Sequence, residues 1–297
     1  MKLLFFDSTI KAPPYGNFGD ELNNWLWPKL FAEFIGEAEY NWANLVGIGT
    51  ILSEKTFEHS GTFFILGSGT GYGSNQNLDQ SKWRVYAVRG PQTAARLGLQ
   101  ADAAITDSAL LIKDFVAPQT HVRDQRPVAF MPHWSSDIDV WKGIANRAGL
   151  YFIDPTGATE QVLSEIQQSD LVITEAMHGA IVADASRIPW VPAFTHQAIL
   201  RYKWDDWAQS MDLKLDPKML YWKRFTLLWA RNIFLHELIK YISVRRLKTL
   251  ARKETGQLSD LKLHEYRHAQ LMKQVEQIKS DIKQGRKGRD LKAFQAP

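Results

Sequence analysis

Residues 171–185 read LVITEAMHGAIVADA. Leu171–Thr174 is a short apolar run, Glu175 and Ala176 break it, and Met177-His178-Gly179 open a second run of small and apolar residues. That is the pattern of a buried strand turning into a helix. A lone histidine at such a junction stands where open α/β sheets present side chains and free amides to a ligand.

The same alternation extends through the body of the chain. Strand-like runs recur at Leu3–Phe6, Leu45–Ile48, Thr62–Leu66, Arg84–Val88, Val128–Pro132, Tyr151–Ile153 and Trp190–Pro192. Most are continuous apolar runs, as in parallel strands buried on both faces. Helical patterns fall between several of them, at Asp20–Phe34, Gln92–Leu97, Thr159–Ser169 and Gly179–Ser186. Alternating elements imply a doubly wound α/β architecture. The polar, proline-bearing segment Lys113–Pro127 interrupts the rhythm. It divides the body into two Rossmann-like domains, 1–115 and 126–215, each with its own sheet; a single wide sheet is the alternative. Strand signals stop past Leu215, and residues 216–297 read as a basic, amphipathic helical tail.

Composition narrows the classes. The chain has 297 residues, 45% of them hydrophobic, with 11 Trp and 15 Phe, enough for a substantial core. No window approaches the roughly 18 uninterrupted apolar residues of a membrane span. The start, MKLLFFD, has too short an apolar run for a secretory leader and reads as a first strand. The absence of cysteine excludes disulfides, thiolate nucleophiles and Cys-ligated zinc, and it suits a reducing compartment. The net charge of +4 conceals an asymmetry: 19 Lys and Arg face 7 Asp and Glu from Lys218 onward, against 17 and 25 before it.

Several motifs could carry chemistry. In Asn17-Phe18-Gly19-Asp20, either Asn17 or Asp20 can cap the following helix, touch a ligand, or both. Gly67-Ser68-Gly69-Thr70-Gly71-Tyr72-Gly73 follows a strand but has the wrong period for a dinucleotide fingerprint, so it reads as a cleft-lining loop. Arg89 ends a strand just before a helix; it can grip a carboxylate or phosphate, or pair with a structural acid such as Asp107. Met131-Pro132-His133-Trp134 ends the first strand of the second domain. His133 and His178 therefore share the ligand-binding edge of one sheet. The cluster His196, Arg201, Lys203, Trp204 and Asp205 either closes the cleft with positive charge or is a solvated turn.

Taken in order along residues 1–210, NFGDELN, GSGTG, AVRGPQTAARL, ITDSALL, MPHW, EAMHGAIVADASRIPWV and YKWDDW resemble the polysaccharide pyruvyl transferase family. The likeness is to its bacterial exopolysaccharide ketal-pyruvyltransferase branch, of succinoglycan and xanthan type. The resemblance implies a GT-B-like arrangement, as in two-domain glycosyltransferases, with the site between the halves. It implies phosphoenolpyruvate as donor, a sugar diol of a lipid-linked repeat unit as acceptor, and no metal or dissociable cofactor. The family's Arg-Leu-His-Gly-like motif places its histidine on His178, but Ala176 stands at its arginine. Arg89, Arg201 or Lys203 then has to supply that charge.

On this reading His178, His133 and Asp20 are the acid/base candidates. Arg89, Arg201, Lys203, Gly67, Ser68, Gly69 and Thr70 bind the donor; Asn17, Glu175 and Trp204 line the acceptor side or the cleft. The tail, through Trp222, Phe225, Trp229, Ile233 and Leu238 with Lys223, Arg224, Arg245 and Arg246, suits the inner face of an anionic membrane. It equally suits packing of its first helix on the body and pairing of its second with a partner chain. A cytoplasmic protein with no nucleic-acid partner is expected. The rival functions are a nucleotide-sugar glycosyltransferase and a non-catalytic scaffold of polysaccharide assembly.

Overall fold

A computed structural model describes residues 1–6, 16–71, 80–116, 127–194, 201–220 and 233–285. His196, Tyr72, Gly73 and the tail residues Trp222 to Trp229 lie outside them.

Two parallel sheets carry the fold. The first has four strands in sequence order, β1 (Lys2–Leu4), β2 (Ala43–Val46), β3 (Thr62–Ser68) and β4 (Trp83–Val88). The second comprises β5 (Val128–Met131), β6 (Tyr151–Phe152), β7 (Leu171–Thr174), β8 (Trp190–Phe194) and β9 (Lys218–Met219), in the order β6-β5-β7-β8-β9. Every pairing is parallel, with Met131 opposite Thr174 between β5 and β7. The separate-sheet expectation holds, and β3, β4 and β7 are buried along their whole length, which is why they read as apolar runs. One strand lies past Leu215 after all. The two-residue β9 pairs with the end of β8 through half-buried Lys218 and Met219, a composition with no strand signal.

Helices α1 (Phe18–Phe31), α2 (Pro91–Arg96), α3 (Ile138–Ala148), α4 (Thr159–Gln167), α5 (Met177–Ala185), α6 (Arg201–Ser210), α7 (Ile233–Lys253) and α8 (Leu261–Lys283) cover the sheets. The central apolar cluster joins both halves. Phe18, Leu22 and Leu26 of α1 share it with Val162 and Ile166 of α4 and with Ile181 of α5. Separate clusters fill the outer faces, one with Phe63, Ile65 and Trp83 on the first sheet, the other with Phe130, Ile173 and Trp141 on the second.

The two tail helices pack on the body. Ile239, Val244 and Leu247 of α7 join the second sheet's outer cluster. Leu271, Val275, Ile278 and Ile282 of α8, spaced 4-3-4, are fully buried in the central cluster rather than left for a partner chain. Polar contacts fasten α8 to the first half. Asp281 accepts a 2.7 Å hydrogen bond from Tyr86 Oη and lies 3.6 Å from Arg84, while Lys113 pairs with Glu265 and His268 with Asp114. The short loop before α8 ties to the second half, where Ser259 donates to Asp184 through both its backbone N–H and its hydroxyl.

Candidate active site

The C-terminal ends of β1, β2, β5, β6 and β7 face a common cavity of about 840 Å³. In the second sheet the chain order reverses between β5 and β7, a switch point at which open α/β sheets leave a crevice. His133 follows β5 and His178 follows β7, so both flank that crevice and both line the cavity.

From the first half, α1 delivers Asn17, Gly19 and Asp20. Asn17 is the N-cap, its side-chain oxygen accepting from Gly19 N at 3.2 Å, and its amide donates to Asp20 at 2.5 Å. Asn17 thus both caps α1 and lines the cavity. Gly19 is required sterically: a Cβ there would stand 2.0 Å from His178 Nδ1. Asp20 is buried, and desolvation pushes its carboxyl up to about 6 against the pull of His178, Asn17 and Lys203.

Lys203 reaches the cavity from α6. Desolvation, then repulsion from Arg89, push its amine down to about 8, with Asp20 and Glu175 acting in the opposite sense. His133 is held by its backbone N–H, which donates to Glu175 Oε2 at 3.0 Å, and by a 2.7 Å contact between Nδ1 and Ser135 Oγ.

The remaining sequence-derived residues stand elsewhere. Arg89 is sealed from solvent. Its Nε donates to Asp206 at 3.1 Å, its Nη1 to Thr50 Oγ1 at 2.7 Å and its Nη2 to Thr70 O at 2.9 Å. The structural acid is therefore Asp206 of α6, not Asp107, and no face of the guanidinium is left for a donor. The glycine loop serves this arginine: a Cβ on Gly69 would sit 2.2 Å from Arg89 Cζ, and one on Gly67, at φ +79°, 2.0 Å from Ser108 Oγ. Ser68 and Thr70 are likewise spent on Val46 O and on Thr93 and Tyr202. Arg201 is exposed and paired with Asp205 at 3.2 Å. Trp204 is fully buried among Trp190, Trp207 and Phe194. Glu175 is buried and holds the β5–α3 turn through His133 and Ser136.

Asn17, Asp20, His133, His178 and Lys203 are thus brought together, and Arg89 acts one residue behind them. Thr50, Phe6 and His59 also line the cavity without having been singled out. The positions of Phe6 and Thr50 shortly after strand ends are the signal that could have found them; His59, just before β3, carries no such signal.

The molecule is a two-sheet α/β protein whose cavity gathers three histidines, a lysine and a carboxyl raised by burial to about 6, between the edges of both sheets. A family model described as polysaccharide pyruvyl transferase matches residues 17–197, and the chain belongs to that family. A similar relative is the succinoglycan biosynthesis protein ExoV of Rhizobium meliloti (strain 1021), 39% identical over 206 residues. The match takes in 69% of this chain and 64% of that protein, so the chain spans less than two thirds of its relative's length.

Below about pH 8 the Lys203 amine carries its charge where burial disfavours it, so it subtracts from stability until the pH rises through 8 toward its ordinary value. Lys203→Met should therefore raise the melting midpoint at pH 7. A gain of about 0.5–2 kcal/mol is expected, with roughly 2–4 °C for each kcal/mol. A lower midpoint in thermal unfolding would show that Lys203 is a structural ion.

Proposed function

We propose that this cavity binds phosphoenolpyruvate and transfers its three-carbon unit, as a cyclic ketal, to a sugar diol of a polysaccharide repeat unit. What supports the reading is family membership together with one observation: His178, Lys203 and Asp20 line the same cavity, where the two sheets present their ligand-binding edges. The relative's succinoglycan role points to an exopolysaccharide acceptor. The two sheets serve as the halves of a GT-B-like arrangement.

The donor is small and multiply charged. Lys203 and the backbone N–H groups that open α5 supply positive character for its phosphate and carboxylate. Lys203 thereby takes the place of the cation missing at Ala176, which lines the same cavity. Ketal formation starts with a proton delivered to the methylene carbon, which leaves the central carbon electron-poor and open to one sugar hydroxyl. Phosphate departs with its bridging oxygen, and the second hydroxyl closes the ring. Of the two hydroxyl protons released, one replaces that given to the methylene and the other leaves with phosphate. His178 suits the proton transfers at neutral pH, and Asp20, held near 6, is a second group able to carry a proton. A cavity of about 840 Å³ has room for a sugar beside the donor, small-molecule sites running to roughly 300–1,000 Å³.

The assay incubates the protein with phosphoenolpyruvate and isolated lipid-linked repeat units. Phosphate release is expected with an acceptor mass gain of one pyruvate less one water, and a fall of about 10²-fold or more in His178→Ala. Turnover only with a nucleotide sugar would assign a glycosyltransferase. Folded protein that releases no phosphate with any glycan would favour a scaffold, the reading to which Ala176 lends weight.

A lipid-linked acceptor places the enzyme at the cytoplasmic face of a membrane. No described helix is long and apolar enough to cross one. The outward face of α7 carries Leu238 and Tyr241 and then Arg245, Lys248 and Arg252, all exposed, which matches an anionic headgroup layer. Arg245→Glu with Lys248→Glu and Arg252→Glu should abolish co-sedimentation with phosphatidylglycerol vesicles; unchanged sedimentation removes this face from the account.

A further inference from the structure

His178 stands in the first turn of α5, with its two ring nitrogens in different surroundings. Nε2 is buried and points at Asp107 Oδ2, 3.7 Å away. Nδ1 lies on the Gly19 side, where α1 begins and the cavity opens. Asp107 is fully buried, and its two oxygens are also distinct. Oδ1 accepts from Ala109 N at 3.0 Å as the N-cap of the seven-residue 3-10 helix Ser108–Asp114. Oδ2 has no hydrogen-bond partner, and neither does His178 Nε2. Two buried polar atoms that face each other without other partners are rare, because each forfeits the hydrogen bonds it had in water.

The geometry points to Asp107 as the positioning residue of the candidate catalytic histidine: its Oδ2 holds the proton of His178 on Nε2 and leaves the Nδ1 lone pair for the cavity. This rests on the assignment of His178 to proton transfer. The separation of 3.7 Å is beyond direct hydrogen-bond reach, and such contacts commonly tighten when a substrate closes the site. Asp107 lacks the freedom to turn away, since its other oxygen is fixed by the cap. The ring packs closely against Gly19, which has no Cβ to displace it.

Asp107→Asn separates positioning from architecture. Asparagine is as good an N-cap as aspartate and has nearly the same shape, so its oxygen can keep the Ala109 bond. Its amide would then face Nε2 as a donor, which drives the proton to Nδ1 and blocks the cavity nitrogen. The readout is the ¹⁵N spectrum of histidine-labelled full-length protein near pH 8, with the His178 signal assigned by its loss in His178→Gln. The native protein should show the Nε2–H tautomer and Asp107→Asn the Nδ1–H tautomer. Pyruvyl transfer by Asp107→Asn should lose about 10²–10⁴-fold in kcat, with the KM for phosphoenolpyruvate within about twofold of native.

A native Nδ1–H tautomer overturns the inference without recourse to any variant, so a failure of Asp107→Asn to fold leaves the question decidable. An unchanged tautomer in folded Asp107→Asn overturns it as well, as does unchanged kcat despite a switched tautomer. A switched tautomer in a protein that transfers no pyruvate leaves Asp107 as the group that orients His178 and removes the proposed reaction instead.

Discussion

The arrangement of the cavity depends on one buried ion pair. Arg89, at the end of β4 in the first half, meets Asp206 of α6, which lies between β8 and β9 of the second half, at 3.1 Å with neither side chain exposed. Burying two charges is costly, and their attraction offsets that cost only when the remaining donors and lone pairs are also satisfied. Here they are: Asp206 also accepts from Thr93 N at 3.0 Å and Thr93 Oγ1 at 2.6 Å, and Arg89 is completed by Thr50 and Thr70. The result is less a source of net stability than a fixed register between β4, α2 and α6. Lys203 lies one turn before Asp206 on the same helix, so the pair determines where that amine enters the cavity. Tyr202, hydrogen-bonded to Thr70 Oγ1 at 2.9 Å, adds a second tether to the same turn.

Around this anchor the cavity keeps groups in states that folding alone would not choose. Burial holds Asp20 up to about 6 and Lys203 down to about 8. Both shifts run against stability at neutral pH, and such shifts concentrate where a ligand or a reaction uses them. The hydrophobic cluster shared by α1, α4 and α5 keeps the two strand edges in place across the cavity while those groups remain partly uncompensated. Helix α8 reinforces that placement, because it fills the central cluster and is pinned to β4 through Asp281.

Much of this was legible in the sequence where burial is uniform. Leu171–Thr174 was located to the residue, since a parallel strand covered on both faces leaves an unbroken apolar run. That His133, His178, Asn17 and Asp20 stand at strand and helix junctions was legible irrespective of distant partners, and all four line the cavity. Contacts that depend on distant partners were not legible. The cluster of Arg201, Lys203, Trp204 and Asp205 reads equally as a cleft closure or a solvated turn, because nothing local reveals that the neighbouring Asp206 is buried by an arginine 117 residues away. The glycines of residues 67–71 suggested a ligand, whereas two of them make room for Arg89 and Ser108. Trp204 had the look of a cleft residue and is core, because tryptophan serves both settings with the same side chain. Asp107 enters the sequence reading only as one possible partner of Arg89, because its closeness to His178 is a property of tertiary packing alone.

The central claim is that a half-buried lysine, placed by the Arg89–Asp206 pair, makes this cavity a site for a small anionic phosphoester. Calorimetric titration with phosphoenolpyruvate at pH 7 and pH 9.5 tests it most directly. The amine is charged below about 8 and neutral above, so affinity should fall by about tenfold or more at the higher pH, with no such fall in Lys203→Met. Equal affinity at both values, or binding of a nucleotide sugar in place of phosphoenolpyruvate, would contradict the account.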